Sequence, residues 1–153
     1  MTNTPIRVRP AGPADLAALV PLFDAYRGFY HQAPDLPKVS RFLEDRLRNR
    51  DSFVFLACVE GEALPAGFTQ LYPVFSSVTI GRALILNDLF VMPNHRGRGV
   101  AQALLAQAAA FGRETGAKYL ELATQITNTS AQRLYERAGW VRQTEFFHYE
   151  LDL

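Results

Sequence analysis

The chain has 153 residues, 48% of them hydrophobic, and a formal net charge of +1. That length suits one domain with one core and excludes a disordered chain, while near-neutrality gives no support for a polyanion partner, so any anion site must be local. Its single cysteine, Cys58, excludes an internal disulfide and every multi-cysteine motif, and with only three histidines left as ligands no metal site is expected.

In chain order, Pro5 to Arg9 suits a short strand. GPADLAALVPLFDAYRGFY follows, with Leu16, Leu19, Val20, Phe23, Tyr26 and Tyr30 at helical spacing. Pro13 fits a first helical turn, and Pro21 predicts a kink or a split. HQAPDLPK reads as a loop, then VSRFLEDRLRNR as a short charged helix with Phe42, Leu43 and Leu47 inward. SFVFLACVEGE predicts a strand ending at Gly61; AGFTQLYPVFSSV and RALILNDLFVM predict two more, joined as a hairpin around Ser76 to Arg82. A helix carrying Val100, Leu104, Leu105, Ala108 and Phe111 stops at Gly116. AKYLELAT predicts a strand, NTSAQRLYERAG a helix ending at Gly139, and WVRQTEFFHYELDL one or two final strands. With no repeat or linker, residues 1–153 read as one α/β domain, a mixed sheet covered by helices. Met1 to Ala11 holds no apolar core of signal-peptide type, and no apolar run approaches the roughly 18 residues of a membrane span. A cytoplasmic chain without a membrane partner is expected.

Two glycines, Gly97 and Gly99, lie between the strand ending at Pro93 and the next helix, beside His95, Arg96 and Arg98. A helix N-terminus presents backbone N–H groups without intrahelical partners and the positive end of the helix dipole, which suits phosphate. Glycine lets phosphate approach the backbone, small Ala101 extends that surface, and arginines add charge-assisted contacts. The pattern is R-x-x-G-x-A over Arg96, Gly99 and Ala101; it lacks the third glycine of the dinucleotide fingerprint and the Gly-Lys-Ser/Thr of the P-loop. A tight strand-to-helix turn with solvated arginines fits the same residues. Further on, Asn128 opens a predicted helix and Tyr135 lies inside it, which taken singly suits an N-cap and a half-buried core tyrosine.

Together, LNDLFVMPNHRGRGVAQALL and NTSAQRLYERAGW resemble the GNAT superfamily of acyl-CoA-dependent N-acyltransferases, and the resemblance covers most of the chain. It implies a mostly antiparallel central sheet with a splayed strand pair, flanked by helices. It implies acetyl-CoA as co-substrate, its pyrophosphate on the backbone of Arg96, Gly97, Arg98, Gly99, Val100, Ala101 and Gln102. It implies a bulged strand whose backbone at Leu89, Phe90 and Val91 pairs with pantetheine. Asn128 and Ala131 match the family's N-x-x-A/S motif, which contacts pantetheine, and Tyr135 matches the tyrosine that protonates the departing thiolate. Within the superfamily the chain looks closest to the diamine/polyamine branch and to a small histone-acetylating branch, which share NDL-x-V and AQ-x-LY. The acceptor implied is therefore a primary amine, on a small molecule or a protein lysine, and the family habit of pairing through its C-terminal segment implies a homodimer.

The amine must be neutral to attack, yet an alkyl amine with a pKa near 10.4 is protonated at neutral pH. A base or a desolvated pocket must shift that balance. Diamine acetyltransferases have a glutamate where this chain has Asn87, and an amide cannot accept the proton. Asp88 is the nearest carboxylate; strand alternation puts it on the face opposite Asn87 and Leu89 unless a bulge intervenes. The resemblance implies one wall of the acceptor pocket at Tyr30, His31 and Asp35, where aromatics with an acid fit a cationic amine, and Tyr72 suits either the opposite wall or a dimer contact. Tyr26 reads as core stripe, Cys58 as a small core residue, and His148 as non-catalytic. Two other classes compete: a nucleic-acid module using HRGRG, which the +1 balance opposes, and an inactive acyl-CoA-binding sensor, which Asn87 favours.

Overall fold

The computed structural model describes residues 4–153; Met1 to Asn3, the start of the stretch read above for a leader, lie outside it. Its contacts divide into two units, one ending at Ala123 and one covering Thr124–Leu153. In the first, the elements are β1 (Ile6–Pro10), a 3₁₀ turn (Pro13–Asp15), α1 (Leu16–Phe29), α2 (Leu36–Asn49), β2 (Phe53–Val59), β3 (Gly67–Ser76), β4 (Gly81–Val91), a second 3₁₀ turn (Pro93–His95), α3 (Val100–Glu114) and β5 (Leu120–Glu121). The strands form one sheet in the order β1-β2-β3-β4-β5, antiparallel except for the parallel pair β4/β5. That pair meets only at Leu84↔Leu120 and Ile85↔Glu121, so the sheet is open along the second half of β4. No helix among the described residues is long and apolar enough to cross a membrane.

The helices cover the sheet through the stripes their sequences present. Leu19, Leu22 and Phe23 of α1 and Val39 and Leu43 of α2 are buried against Val54, Leu56, Phe68 and Phe90. The stripe of α3 is Val100, Leu104, Leu105, Ala108 and Gly112. Gly112 lies where a Cβ would come within 2.5 Å of Leu120 Cδ1, so α3 sits close over the β4/β5 pair.

Gly67 lies close against the backbone of β4. A Cβ there would lie 2.5 Å from the Phe90 carbonyl oxygen and 3.3 Å from Val91 Cα, atoms that move only if β4 moves. Gly67→Ala is expected to lower stability by about 1–3 kcal/mol, the usual cost of overpacking. Urea unfolding measures it, and an unchanged midpoint would refute the reading.

Three features differ from the sequence expectations. Helix α1 runs through Pro21 without a split; burial of Leu19, Leu22 and Phe23, which straddle it, offsets the one hydrogen bond that proline cannot donate. The loop after α1 is shorter than predicted, because Asp35 caps α2 by accepting from Lys38 N–H at 3.1 Å and Pro37 lies in the first turn, where proline is tolerated. In the second unit, α4 (Thr129–Arg137) is followed by Gly139 at φ 88°, but residues 141–153 contain no strand. β-prone residues become a strand only on a hydrogen-bonded ladder, and Phe147 and Tyr149 stand 88% and 92% exposed.

Candidate active site

The site begins at a bulge. Gln70 faces Asp88, but the next pair is Leu71↔Leu86, so Asn87 is an extra residue in β4. One extra residue reverses the side-chain alternation downstream. Leu84 accordingly lies on the α3 side, 3.8 Å from where a Gly112 Cβ would sit, whereas Phe90 packs with Tyr26 of α1 at a ring distance of 6.2 Å. Asp88 shares Phe90's face and points under α1.

Asp88 is 3% exposed and sits among donors. Its Oδ2 accepts from Gln70 Nε2 at 2.7 Å and its Oδ1 from Asn87 Nδ2 at 3.1 Å. The Tyr26 hydroxyl donates to the Asn87 carbonyl at 3.4 Å, which puts it close enough to the carboxylate to act on its charge. Gln70, fully buried, accepts through Oε1 from Ser52 Oγ at 2.8 Å. Desolvation pushes the Asp88 carboxyl above the usual carboxylate range, while its donors pull the other way. The phenols around it respond in kind. Burial and the Asp88 charge raise Tyr26 and Tyr30, and the same two causes push Tyr72 up to about 12. Among the described residues no lysine, arginine or histidine pairs with Asp88. The result is a buried carboxylate ringed by three tyrosines and lacking a cation.

Eight residues further on, Arg96 begins the glycine turn. Gly97 and Gly99 have φ of 71° and 86°, the left-handed region that favours glycine. A Cβ would meet nothing within 4 Å at Gly97 and only Ile6 Cδ1 at 3.9 Å at Gly99, so backbone conformation rather than crowding selects glycine. The first intrahelical bond of α3 is Ala103 N–H to Gly99 O, and no side chain caps the helix. The N–H groups of Gly99, Val100, Ala101 and Gln102 therefore have no intrahelical acceptor. That backbone suits a pyrophosphate.

A sequence profile of the acetyltransferase (GNAT) family matches residues 17–140. The chain belongs to the GNAT family of acetyltransferases. It is 45% identical over 148 residues to the uncharacterized N-acetyltransferase YhfO of Bacillus subtilis, a match covering 97% of this chain and 98% of that one. A thialysine N-epsilon-acetyltransferase of Sus scrofa is 30% identical over 123 residues, covering 72% and 69%. The crystal structure of a probable acetyltransferase superposes with a TM-score of 0.91 at 39% identity, over 96% of this chain and 97% of that one. The chain is thus a GNAT-type N-acetyltransferase with the open, mostly antiparallel sheet that the resemblance implies.

In this GNAT chain the basic residues of the turn have separate tasks. His95 is buried, its Nε2 is 2.6 Å from Glu62 Oε2, and it faces the β2–β3 turn rather than the glycines. Arg96 folds back along β4, donating from Nε to the Val91 carbonyl at 3.0 Å and stacking 5.6 Å over the Phe90 ring. Arg98 is 4.0 Å from Glu62 and half exposed. Leu89, Phe90 and Val91 lie on the half of β4 beyond its β5 pairing, with Phe90 turned into the core.

The other residues singled out from the sequence are scattered. Tyr30 joins the Asp88 group edge-on to Tyr26 at 5.2 Å. His31 stands in the turn closing α1 at φ 60°, donating its N–H to Gly28 O, and Asp35 caps α2. In the second unit Asn128 caps α4, its Oδ1 accepting from Ala131 N–H at 3.2 Å; this contact does not use its amide donors. Tyr135 is half-buried with its ring 6.3 Å from Trp140, and its carbonyl accepts from Trp140 N–H at 3.0 Å. Sequence reasoning missed Gln70 and Ser52 and left Tyr26 in the core stripe. The available signal was Gln70, a polar residue in the apolar run GFTQLY.

Proposed function

We propose that this chain transfers an acetyl group from acetyl-CoA to a primary amine, and that Asp88, with Tyr26, Tyr30 and Tyr72, receives the acceptor. The observation that carries this is the buried Asp88 carboxylate, which has aromatic walls and, among the described residues, no cation paired with it. An alkylammonium supplies the missing charge, and tyrosine faces add cation–π attraction. A carboxyl raised by desolvation is then better matched to take a proton than an exposed aspartate, whose pKa is far below neutrality. Asn87 occupies the bulge and steadies Asp88 by donating to it, so the chain needs no glutamate at that position. Acetyl-CoA supplies the electrophilic thioester. The residues matching the family motifs, the Arg96–Gln102 turn, Asn128 and Ala131, hold it, and Tyr135 donates a proton to sulfur. A thiol-release assay with small diamines, lysine analogues and lysine peptides tests the reaction. Turnover with none of them, by protein that binds CoA, would leave an acyl-CoA sensor instead.

The turn is tested separately. Gly99→Glu puts a negative side chain on the backbone proposed for pyrophosphate, and CoA affinity by calorimetry is expected to fall tenfold or more, about 1.4 kcal/mol. Gly99→Asn, which tolerates positive φ without adding charge, controls for strain. Equal affinity in wild type and the glutamate variant would remove the turn from the site. Pairing of two copies through the exposed Phe146, Phe147 and Tyr149 belongs to the same proposal; a monomeric mass by light scattering would remove it.

A further inference from the structure

We propose that Gln70, itself anchored by Ser52, is a positioning residue that holds Asp88 in its proton-accepting form. This rests on the reading of Asp88 as the amine's proton acceptor. The three side chains form one chain of contacts, Ser52 Oγ to Gln70 Oε1 at 2.8 Å and Gln70 Nε2 to Asp88 Oδ2 at 2.7 Å. All three are buried, Gln70 fully. A buried glutamine in a strand is costly unless each end of its amide finds a partner. Here both ends have one, and the Asp88 carboxylate sets its direction. A carboxylate only accepts, so the amide must present its NH₂ to Asp88 and its oxygen to the Ser52 hydroxyl, which then donates. The opposite orientation would aim the amide oxygen at the Asp88 carboxylate. Ser52, whose hydroxyl can donate or accept, does not choose that direction; it satisfies the amide oxygen once Asp88 has set it, and so anchors the amide that stabilises negative charge at position 88. The Asp88 backbone is pinned as well, its carbonyl accepting from Thr69 Oγ1 at 2.8 Å, so the carboxylate has little freedom to leave its donors.

The other groups facing Asp88 are phenols and an amide. Tyr26 comes from α1, Tyr30 directly follows that helix, Tyr72 comes from β3 and Asn87 from β4 itself. Arg46 of α2 is paired with Asp51 at 2.6 Å, and both act on Tyr72. Of these groups, the Gln70 amide is the fully buried donor, and its contact is the shorter of Asp88's two amide bonds. Removing it leaves burial acting with less opposition and raises the pH at which Asp88 ionises.

The test compares Gln70→Met, close to isosteric and without the donor, with Ser52→Ala and Ser52→Thr. The readouts are the pH dependence of kcat/KM with one amine and a ¹³C NMR titration of the Asp88 carboxyl in the free protein. Because the amine is the same throughout, any displacement of the acid limb between variants belongs to the enzyme. Gln70→Met is expected to move the limb and the NMR midpoint upward by about one to two pH units, the size of a lost hydrogen bond to a charged group. Ser52→Ala moves both in the same direction by less, and Ser52→Thr restores them. Lower activity at every pH with an unmoved limb and midpoint would show a merely structural role and overturn the proposal. If Gln70→Met does not fold, Ser52→Ala decides by the same criterion. Asp88→Asn separates the two ideas. Retained activity in that variant removes Asp88 as acceptor, whereas lost activity together with an unmoved Gln70→Met midpoint overturns only the role of Gln70.

Discussion

Asp88→Asn is expected to lower kcat/KM for amine acetylation by about 10²–10⁴-fold, the usual worth of a positioned general base, while the protein stays as stable as wild type or becomes more so. Both halves follow from one fact. Burial disfavours the charged form of Asp88, raising its pKa in the folded state above its value in the unfolded chain. For an acid shifted in that direction, stability is complete below the unfolded pKa and declines as pH rises through the window up to the folded pKa. Above that window the protein carries the cost of a buried charge, and asparagine does not. The asparagine oxygen can still accept from Gln70 Nε2, so the packing has no reason to fail. Activity runs the opposite way with pH. As the proposed proton acceptor, Asp88 must be ionised, so kcat/KM is expected to fall on acidification through a pKa higher than that of an exposed aspartate, and the variant to lose that limb. Thermal unfolding at neutral pH and a pH–rate profile measure the two halves. A variant that keeps wild-type kcat/KM would remove Asp88 from the chemistry. A variant that loses both stability and activity would mean that the carboxylate is a structural anchor.

The parts of the molecule legible in the sequence are those fixed by near neighbours. The β3–β4 hairpin follows from period-2 patterning around a short turn, and the glycine turn follows from two positions that must take φ above zero. The bulge was not legible in its consequence. Whether Asn87 is paired or extra depends on how β4 registers against Gln70 and Leu71, residues far away in the chain. That register decides which face Asp88 takes, and so whether Tyr26 is only a core aromatic or also a neighbour of that carboxylate. In the structure it is both, touching Phe23 and Phe68 with its ring while its hydroxyl reaches the bulge. The helical stripe that predicted Tyr26 as core was correct but said nothing about the phenol at its end. The misreading of WVRQTEFFHYELDL had a related cause, since alternating aromatics state a propensity and a strand also needs a partner ladder.

Tyr135→Phe is the second large effect expected. The substitution keeps the ring that lies 6.3 Å from Trp140 and removes only the hydroxyl. As the donor that protonates the departing thiolate, Tyr135 is expected to contribute roughly 10²–10⁴-fold, so kcat with acetyl-CoA falls by that order while CoA affinity stays near wild type. A tyrosine whose hydroxyl merely satisfies a neighbouring polar group predicts something different in kind: a stability loss on the order of 1 kcal/mol with turnover nearly intact. The acid limb assigned to Asp88 is expected to keep its position in Tyr135→Phe, which separates the two roles. A thiolate is a fair leaving group, and water can replace the phenol in part, which sets the threshold for the test. A drop of less than about tenfold lies below the range for general acids and assigns the proton to solvent. A wild-type rate in folded Tyr135→Phe rules the role out, and a loss of a hundredfold or more at unchanged CoA affinity establishes it.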